Sequence, residues 1–208
     1  MTEKTYDAMD TRETINEIVK ILRDGGVILY PTDSVWGIGC DATNEEAVQR
    51  VFSIKQRSGA KSLVLLASDL DMVARHVRQI PSIAIDLVEV NDAPMTIIYP
   101  GAQLLAPGVV AEDGSVGIRV PYVEEGSETI LKGAAFCREV IRRLRRPLVS
   151  TSANISGEPT PGCFDDISEE IRSAVDFIVP RSFDGGATGR ASQIIKLGLD
   201  GEVEIIRP

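Results

Sequence analysis

The sequence predicts an α/β fold built on a mixed sheet. Short apolar runs of strand length intermingle with amphipathic segments of helix length along the whole chain. The last two strand runs, "ASQIIKL" and "EVEIIRP", follow each other closely, and such adjacent pairs argue against a purely parallel sheet. No repeat or low-complexity tract interrupts the 208 residues, so residues 1–208 are read as a single domain.

Each element has its own signal. Asp10 to Asp24 reads as a helix: Asp10 caps it, Glu13 follows three residues on, and Ile15, Ile18, Val19 and Leu22 form one apolar stripe. Gly25 and Gly26 end it. "VILY" is a short apolar strand stopped by Pro31, and residues 31–42 read as a loop with at most a short extended piece. Thr43 opens a second helix with Glu46 completing a capping box, and Lys55 falls at its C-terminal end. "SLVLLA" is a buried strand, and two short helices follow near 70–78 and 81–89. "MTIIYP" and "SVGIRVP" are strands, residues 127–146 are mostly helical, and "PLVSTSAN" is a strand running into a polar turn. "FDDISEEIRSAV" is a helix and "DFIVP" a strand before the closing pair.

Composition excludes several classes. The net charge of -9 argues against general binding to polyanions, although a local basic cleft is compatible with it. Cys40, Cys137 and Cys163 are odd in number and far apart, which fits reduced thiols in a cytoplasmic protein and neither a zinc ribbon nor a disulfide framework. No apolar run approaches the roughly 20 residues that cross a bilayer, and the N-terminus lacks a secretory pattern. The single histidine, His76, removes mechanisms built on paired histidines and reads as a surface residue of a short helix.

Five segments carry candidate chemistry. "GIGCDA" formally fits a dinucleotide fingerprint, but its glycines lie beyond Pro31 rather than at a strand-to-helix turn, so they read as freeing a backbone turn. "DGGATGRAS" resembles a phosphate loop in composition only and reads as a flexible surface turn. Arg50, Lys55, Arg57 and Lys61 cluster with no carboxylate between Glu46 and Asp69, which points to an anion held at a cleft wall. "STSAN" places three hydroxyls and an amide after a strand, where α/β proteins bind ligands and where a capped turn is equally at home. "IRRLRRP" offers Arg142, Arg143, Arg145 and Arg146 as a basic stripe, but no aromatic residue interleaves for base stacking.

Taken in order, "YPTDSVWGIGCDA", "IKQR", "SVGIRVP", "STSANISGEP" and "FDGGATGRAS" resemble the YrdC/YciO family, and among its members the short bacterial threonylcarbamoyl-AMP synthases. The resemblance runs from about Thr14 to Pro208 and implies a twisted mixed β-sheet flanked by helices around a large, concave, cationic cleft, without the extra C-terminal domain of longer members. It implies that threonine, bicarbonate and ATP give threonylcarbamoyl-AMP and pyrophosphate. A separate transferase complex would then modify adenosine 37 of certain tRNAs. The family's Lys-x-Arg and Ser-x-Asn pairs correspond to Lys55, Arg57, Ser152 and Asn154, the implied catalytic set. Arg57, Lys61, Ser115 and Asn154, with the Lys55 charge, would face ATP, and magnesium would bridge its phosphates. Ser34, Arg119, Ser152 and Ser192, with Thr32 near them, would surround threonine or its carbamate.

The chain departs from the family pattern in places. Ala191-Ser192-Gln193-Ile194-Ile195-Lys196 replaces the usual Pro-Ser-Thr-x-x-Asp, Ser115 replaces a Thr, Leu66 stands where some longer members carry His, and Trp36 replaces a commoner Tyr or Phe. Two other readings remain at this point: a YciO-like relative with different nucleotide activity, and a double-stranded RNA-binding module.

Overall fold

The computed structural model describes residues 11–57, 63–124, 126 and 130–208. Helix α1 (Thr11–Arg23) buries Ile15, Ile18, Val19 and Leu22, the predicted stripe. Strands β1 (Ile28–Tyr30) and β2 (Gly37–Gly39) precede α2 (Glu45–Ile54), and β3 (Val64–Leu66) precedes α3 (Leu70–His76) and α4 (Ser82–Val90). Then come β4 (Met95–Tyr99), β5 (Val116–Arg119), α5 (Gly133–Leu144) and β6 (Leu148–Ser152). The chain closes with α6 (Glu169–Ala174), β7 (Phe177–Ile178), β8 (Gln193–Leu197) and β9 (Val203–Arg207).

These strands form one nine-stranded sheet in the order β7-β1-β2-β6-β3-β5-β4-β8-β9. Pairs β1–β7, β3–β5 and β4–β8 are parallel, and the others are antiparallel. The expected mixed sheet is therefore present. Alternation along the strands splits it into two faces. Val149, Leu65, Ile118 and Ile97 are at most 2% exposed and belong to the core. The opposite parity presents Ser152 beside Gly37, then Ser150 and Val64, then Gly117, Ile98 and Lys196. That second face carries the cleft.

Several expectations change. The helix at 45–54 is capped by Asn44, whose Oδ1 accepts the Ala47 N–H at 3.0 Å, while the Thr43 hydroxyl donates to Asp41 instead. Between 130 and 146 only Gly133–Leu144 is helical, and residues 127–129 lie outside the described set. "FDDISEEIRSAV" divides into a 3-10 turn at Phe164–Asp166 and a helix capped by Ser168. His76 is 8% exposed, not a surface residue, because α3 turns it toward the backbone near Gln103 and Leu104.

The glycines of "GIG" are not turn residues. They lie in a central strand, where the ring of Tyr30 crosses them and its hydroxyl donates to the Val149 carbonyl at 3.0 Å. A Cβ on Gly39 would stand 2.3 Å from that carbonyl oxygen and 2.7 Å from the Tyr30 ring. Close approach, not backbone freedom, requires glycine there.

Candidate active site

The cleft begins where β1 ends. Thr32 Oγ1 accepts the Ser34 and Val35 N–H groups and donates to the Val35 carbonyl, so the 32–35 turn is organised by one hydroxyl. Its Oγ1 also lies 3.0 Å from Ser34 Oγ. The glycine-rich segment after Asp184 is pinned against this turn. The Thr188 N–H donates to the Asp33 carbonyl, the Gly189 N–H to the Ser34 carbonyl, and the Trp36 indole to Asp184. "DGGATGRAS" is thus part of the site's frame rather than a free surface turn.

A cavity of about 310 Å³ is lined by Thr32, Ser34, Arg57, Arg119, Ser152 and Ser192 among others. These are six of the residues named from the sequence. Arg119 is 3% exposed and its Nη1 lies 2.8 Å from Asp33 Oδ1, while its Nε has no hydrogen-bond partner among the described residues. Ser192 lies 2.8 Å from Thr96 across their hydroxyl oxygens. Burial lowers the pKa of the Arg57 guanidinium.

Lys55 and Asn154 stand behind the wall. The Lys55 ammonium, 3% exposed, donates to the carbonyls of Ser152 at 2.5 Å and Asn154 at 2.7 Å. Burial first, and the Arg57 charge second, push its pKa down to about 8. The Asn154 amide donates to the Ile155 and Glu158 carbonyls, which leaves its buried Oδ1 without a partner among the described residues. Two predicted pairs therefore meet directly, through a side chain on one and carbonyls on the other.

Ser115 lines an adjoining cavity of about 550 Å³ that shares Val64 and Ile194 with the first. Arg50 is not part of either: it pairs with Asp176 at 2.8 Å. Lys61 lies outside the described residues.

Sequence reading missed Arg207. Alternation along β9 would send it to the face of Val203 and Ile205, away from the cleft. The register shifts between Ile194 and Ile195, so Ile194 pairs with Arg207 and Ile195 with Ile205. That bulge re-aims Arg207 into the cavity. There its guanidinium donates to the Ser192 carbonyl at 2.8 and 2.6 Å. Burial and the Arg119 charge both lower its pKa.

Three guanidiniums now converge on a serine- and threonine-rich wall on which no carboxylate stands among the described residues. Such a wall suits a small polyanion, and defines an α/β protein that handles phosphorylated or carboxylated ligands. The chain belongs to the Sua5/YciO/YrdC family: the family model described as "Sua5_yciO_yrdC: Telomere recombination" matches residues 20–208. A Pseudomonas aeruginosa protein named threonylcarbamoyl-AMP synthase is 32% identical over 195 residues, covering 91% of this chain and 94% of that protein. A Stenotrophomonas maltophilia protein of the same name is 32% identical over 183 residues, 86% of this chain and 90% of that protein. Among solved structures, P. abyssi Sua5 superposes with a TM-score of 0.80 at 24% identity, and E. coli YciO with 0.73 at 24% identity. The first covers 97% of this chain, which spans only 58% of that longer chain; the second covers 96% and 90%. At that identity the two structures attest the fold.

Proposed function

We propose that this chain makes L-threonylcarbamoyl-AMP from L-threonine, bicarbonate or carbon dioxide, and ATP, releasing pyrophosphate. The product serves threonylcarbamoyl transfer to adenosine 37 of tRNA by a separate complex. The observation that carries this reading is the cavity in which Arg57, Arg119 and Arg207 meet Ser152 and Ser192, with a second cavity opening beside it. The relatives' shared name, threonylcarbamoyl-AMP synthase, supports it.

The chemistry needs placement and charge neutralisation more than acid-base groups. The threonine amine takes up bicarbonate with loss of water, giving a carbamate. A carbamate oxygen then attacks the α-phosphorus, and the bond to the pyrophosphate oxygen breaks. Arg119, with Thr32, Ser34 and Ser192 around it, holds the amino acid's carboxylate or carbamate. Its Nε, without a hydrogen-bond partner among the described residues, supports that role. Arg57 and Arg207 neutralise phosphate charge, assisted by Lys61. Lys55 sets the 152–154 segment through its two carbonyl bonds and places its own charge just behind the wall.

Magnesium would enter with the nucleotide. The donors on the cavity wall are hydroxyls and cations, which suits an ion that keeps its waters and is held by phosphate oxygens. Its chemistry when bound is to offset charge on the phosphates.

Mass spectrometry of a reaction containing ATP, threonine and labelled bicarbonate tests the reading. Label appears in threonylcarbamoyl-AMP with the native chain. Lys55→Ala and Arg57→Ala each lower the rate by about a hundredfold or more. Normal rates in both variants overturn the site assignment. ATP–pyrophosphate exchange without labelled product favours a YciO-like activity instead.

A further inference from the structure

We propose that the groove between the C-terminal ends of α1 and α5 docks an acidic segment of a partner protein, on the side of the molecule away from the cleft. The proposal does not depend on the reaction proposed above.

α1 and α5 bury their apolar stripes in the core that also holds Val149 and Leu65, so their outer surfaces face away from the cleft. The Arg23 guanidinium donates to the Arg143 carbonyl at 2.7 Å, which sets the two C-terminal ends side by side. Between them lies a groove of about 720 Å³. Lys20, Arg23, Arg142, Arg143 and Arg145 line it, and its carboxylates are Asp24 and Glu139. The chain is described without a break from 11 to 57 and from 130 to 208, so both helices and the turns that follow them are described whole.

A cation at a helix C-terminus is ordinary, because it offsets the helix dipole. The number here exceeds that need. Two helix ends supply about one negative charge between them, and the two carboxylates supply two more, against five cations. Arg143 satisfies Glu139 at 2.6 Å and Asn16 at 2.8 Å. Lys20, Arg142 and Arg145 are exposed, and their side chains make no hydrogen bond or ion pair among the described residues. A surplus of positive charge thus stands on a chain whose net charge is -9. Arg145 adds a second sign. It caps α5 with a φ of 63° and a ψ of 23°, a left-handed conformation that glycine adopts without strain. The position keeps an arginine despite that strain, which points to a use for its charge. Its neighbour Arg146 is taken by buried Asp41 at 2.6 Å.

The same features choose between anions. Single-stranded nucleic acid is held by a run of cations with aromatic rings for its bases, and a duplex by cations along its phosphates. This groove sets Asp24 and Glu139 among its cations and has no aromatic residue in its described lining. Mixed charge with a cationic surplus matches an acidic protein segment, whose carboxylates meet Lys20, Arg142 and Arg145 while its own donors meet Asp24. The position suits a partner that leaves catalysis unobstructed. α5 begins beside the cleft, where a Cβ on Gly133 would stand 3.5 Å from the Thr32 carbonyl oxygen. Its other end, at Leu144, is roughly 16 Å further along the helix.

Fluorescence anisotropy at low ionic strength tests this with two labelled probes, a glutamate–alanine peptide and an RNA duplex. The native chain binds the peptide more tightly than the duplex, and added salt weakens that binding. Reversing three exposed charges together, in Lys20→Glu/Arg142→Glu/Arg145→Glu, lowers peptide affinity by roughly tenfold or more with an unchanged circular dichroism spectrum. Arg57→Ala, altered in the cleft, binds the peptide as the native chain does. Arg145→Gly weakens the peptide yet unfolds at the native midpoint or above it. Absence of peptide binding by the native chain overturns the proposal, and so does equal binding by the triple variant. A duplex bound more tightly than the peptide and lost in the triple variant overturns it in favour of RNA. Loss of the peptide in Arg57→Ala overturns it in favour of the cleft. A lowered midpoint in Arg145→Gly with binding intact assigns that arginine to the fold and overturns its part in docking.

Discussion

Lys55 shows how one residue can be read correctly in kind and incompletely in place. "IKQR" marks it as a cation at a helix end, and a solvated ammonium capping the helix dipole is the simplest outcome. Instead the chain turns it inward, with Gln56 adopting a φ of 49° beside it, and the ammonium reaches two carbonyls of another strand's end. Burial lowers its pKa to about 8 from an ordinary 10.5. Two expectations with opposite signs follow. In the free enzyme, kcat/KM for ATP falls as pH rises through about 8, because the charge behind the phosphate site is lost. Stability moves the other way. Between about 8 and 10.5 the unfolded chain holds a proton that the native chain has released, so the Lys55 contribution to the unfolding free energy rises with pH. A pH–rate profile and urea titrations across that window check both, with Lys55→Met flattening each curve. An activity limb unchanged in Lys55→Met assigns it to another group.

Elements were legible wherever a local pattern decides them. The stripe of α1, the strand runs and the antiparallel β8–β9 pair follow from period and spacing, and all are present. Elements failed where a distant partner decides. β2 has only three residues, two of them glycine, and becomes a strand because β1 and β6 flank it and Tyr30 lies across it. Gly39→Ala puts a methyl group against the Val149 carbonyl and the Tyr30 ring. We expect a loss of about 1–3 kcal/mol, read as a lower denaturation midpoint. Gly114→Ala serves as the contrast: nothing lies within 4 Å of its would-be Cβ, so any loss there reflects its φ of 76° alone. An undiminished midpoint in Gly39→Ala would show that β1, β2 and β6 do not pack as described.

At the scale of the molecule, an acidic chain of net charge -9 keeps three guanidiniums in one cavity. Ligand binding should therefore stabilise it markedly. Saturation with magnesium and ATP at about a hundred times Kd contributes about 2.7 kcal/mol, which raises the thermal midpoint by roughly 5–10 °C for a chain of this size. Arg57→Ala should unfold near the native midpoint yet lose most of the rise; a full rise in that variant would move the nucleotide elsewhere. The sequence by itself determined the α/β class, the order of most elements and the residue types of the cleft, because periodicity, glycine, proline and ordered motifs are local signals. Only the tertiary structure decided which cations share the cavity. Arg50 goes to Asp176, Arg119 is held by Asp33, and a bulge between β8 and β9 brings in Arg207. A side chain's destination depends on strand register and on partners distant in sequence, as Asp176 is from Arg50 and Asp33 from Arg119, and no local pattern encodes either.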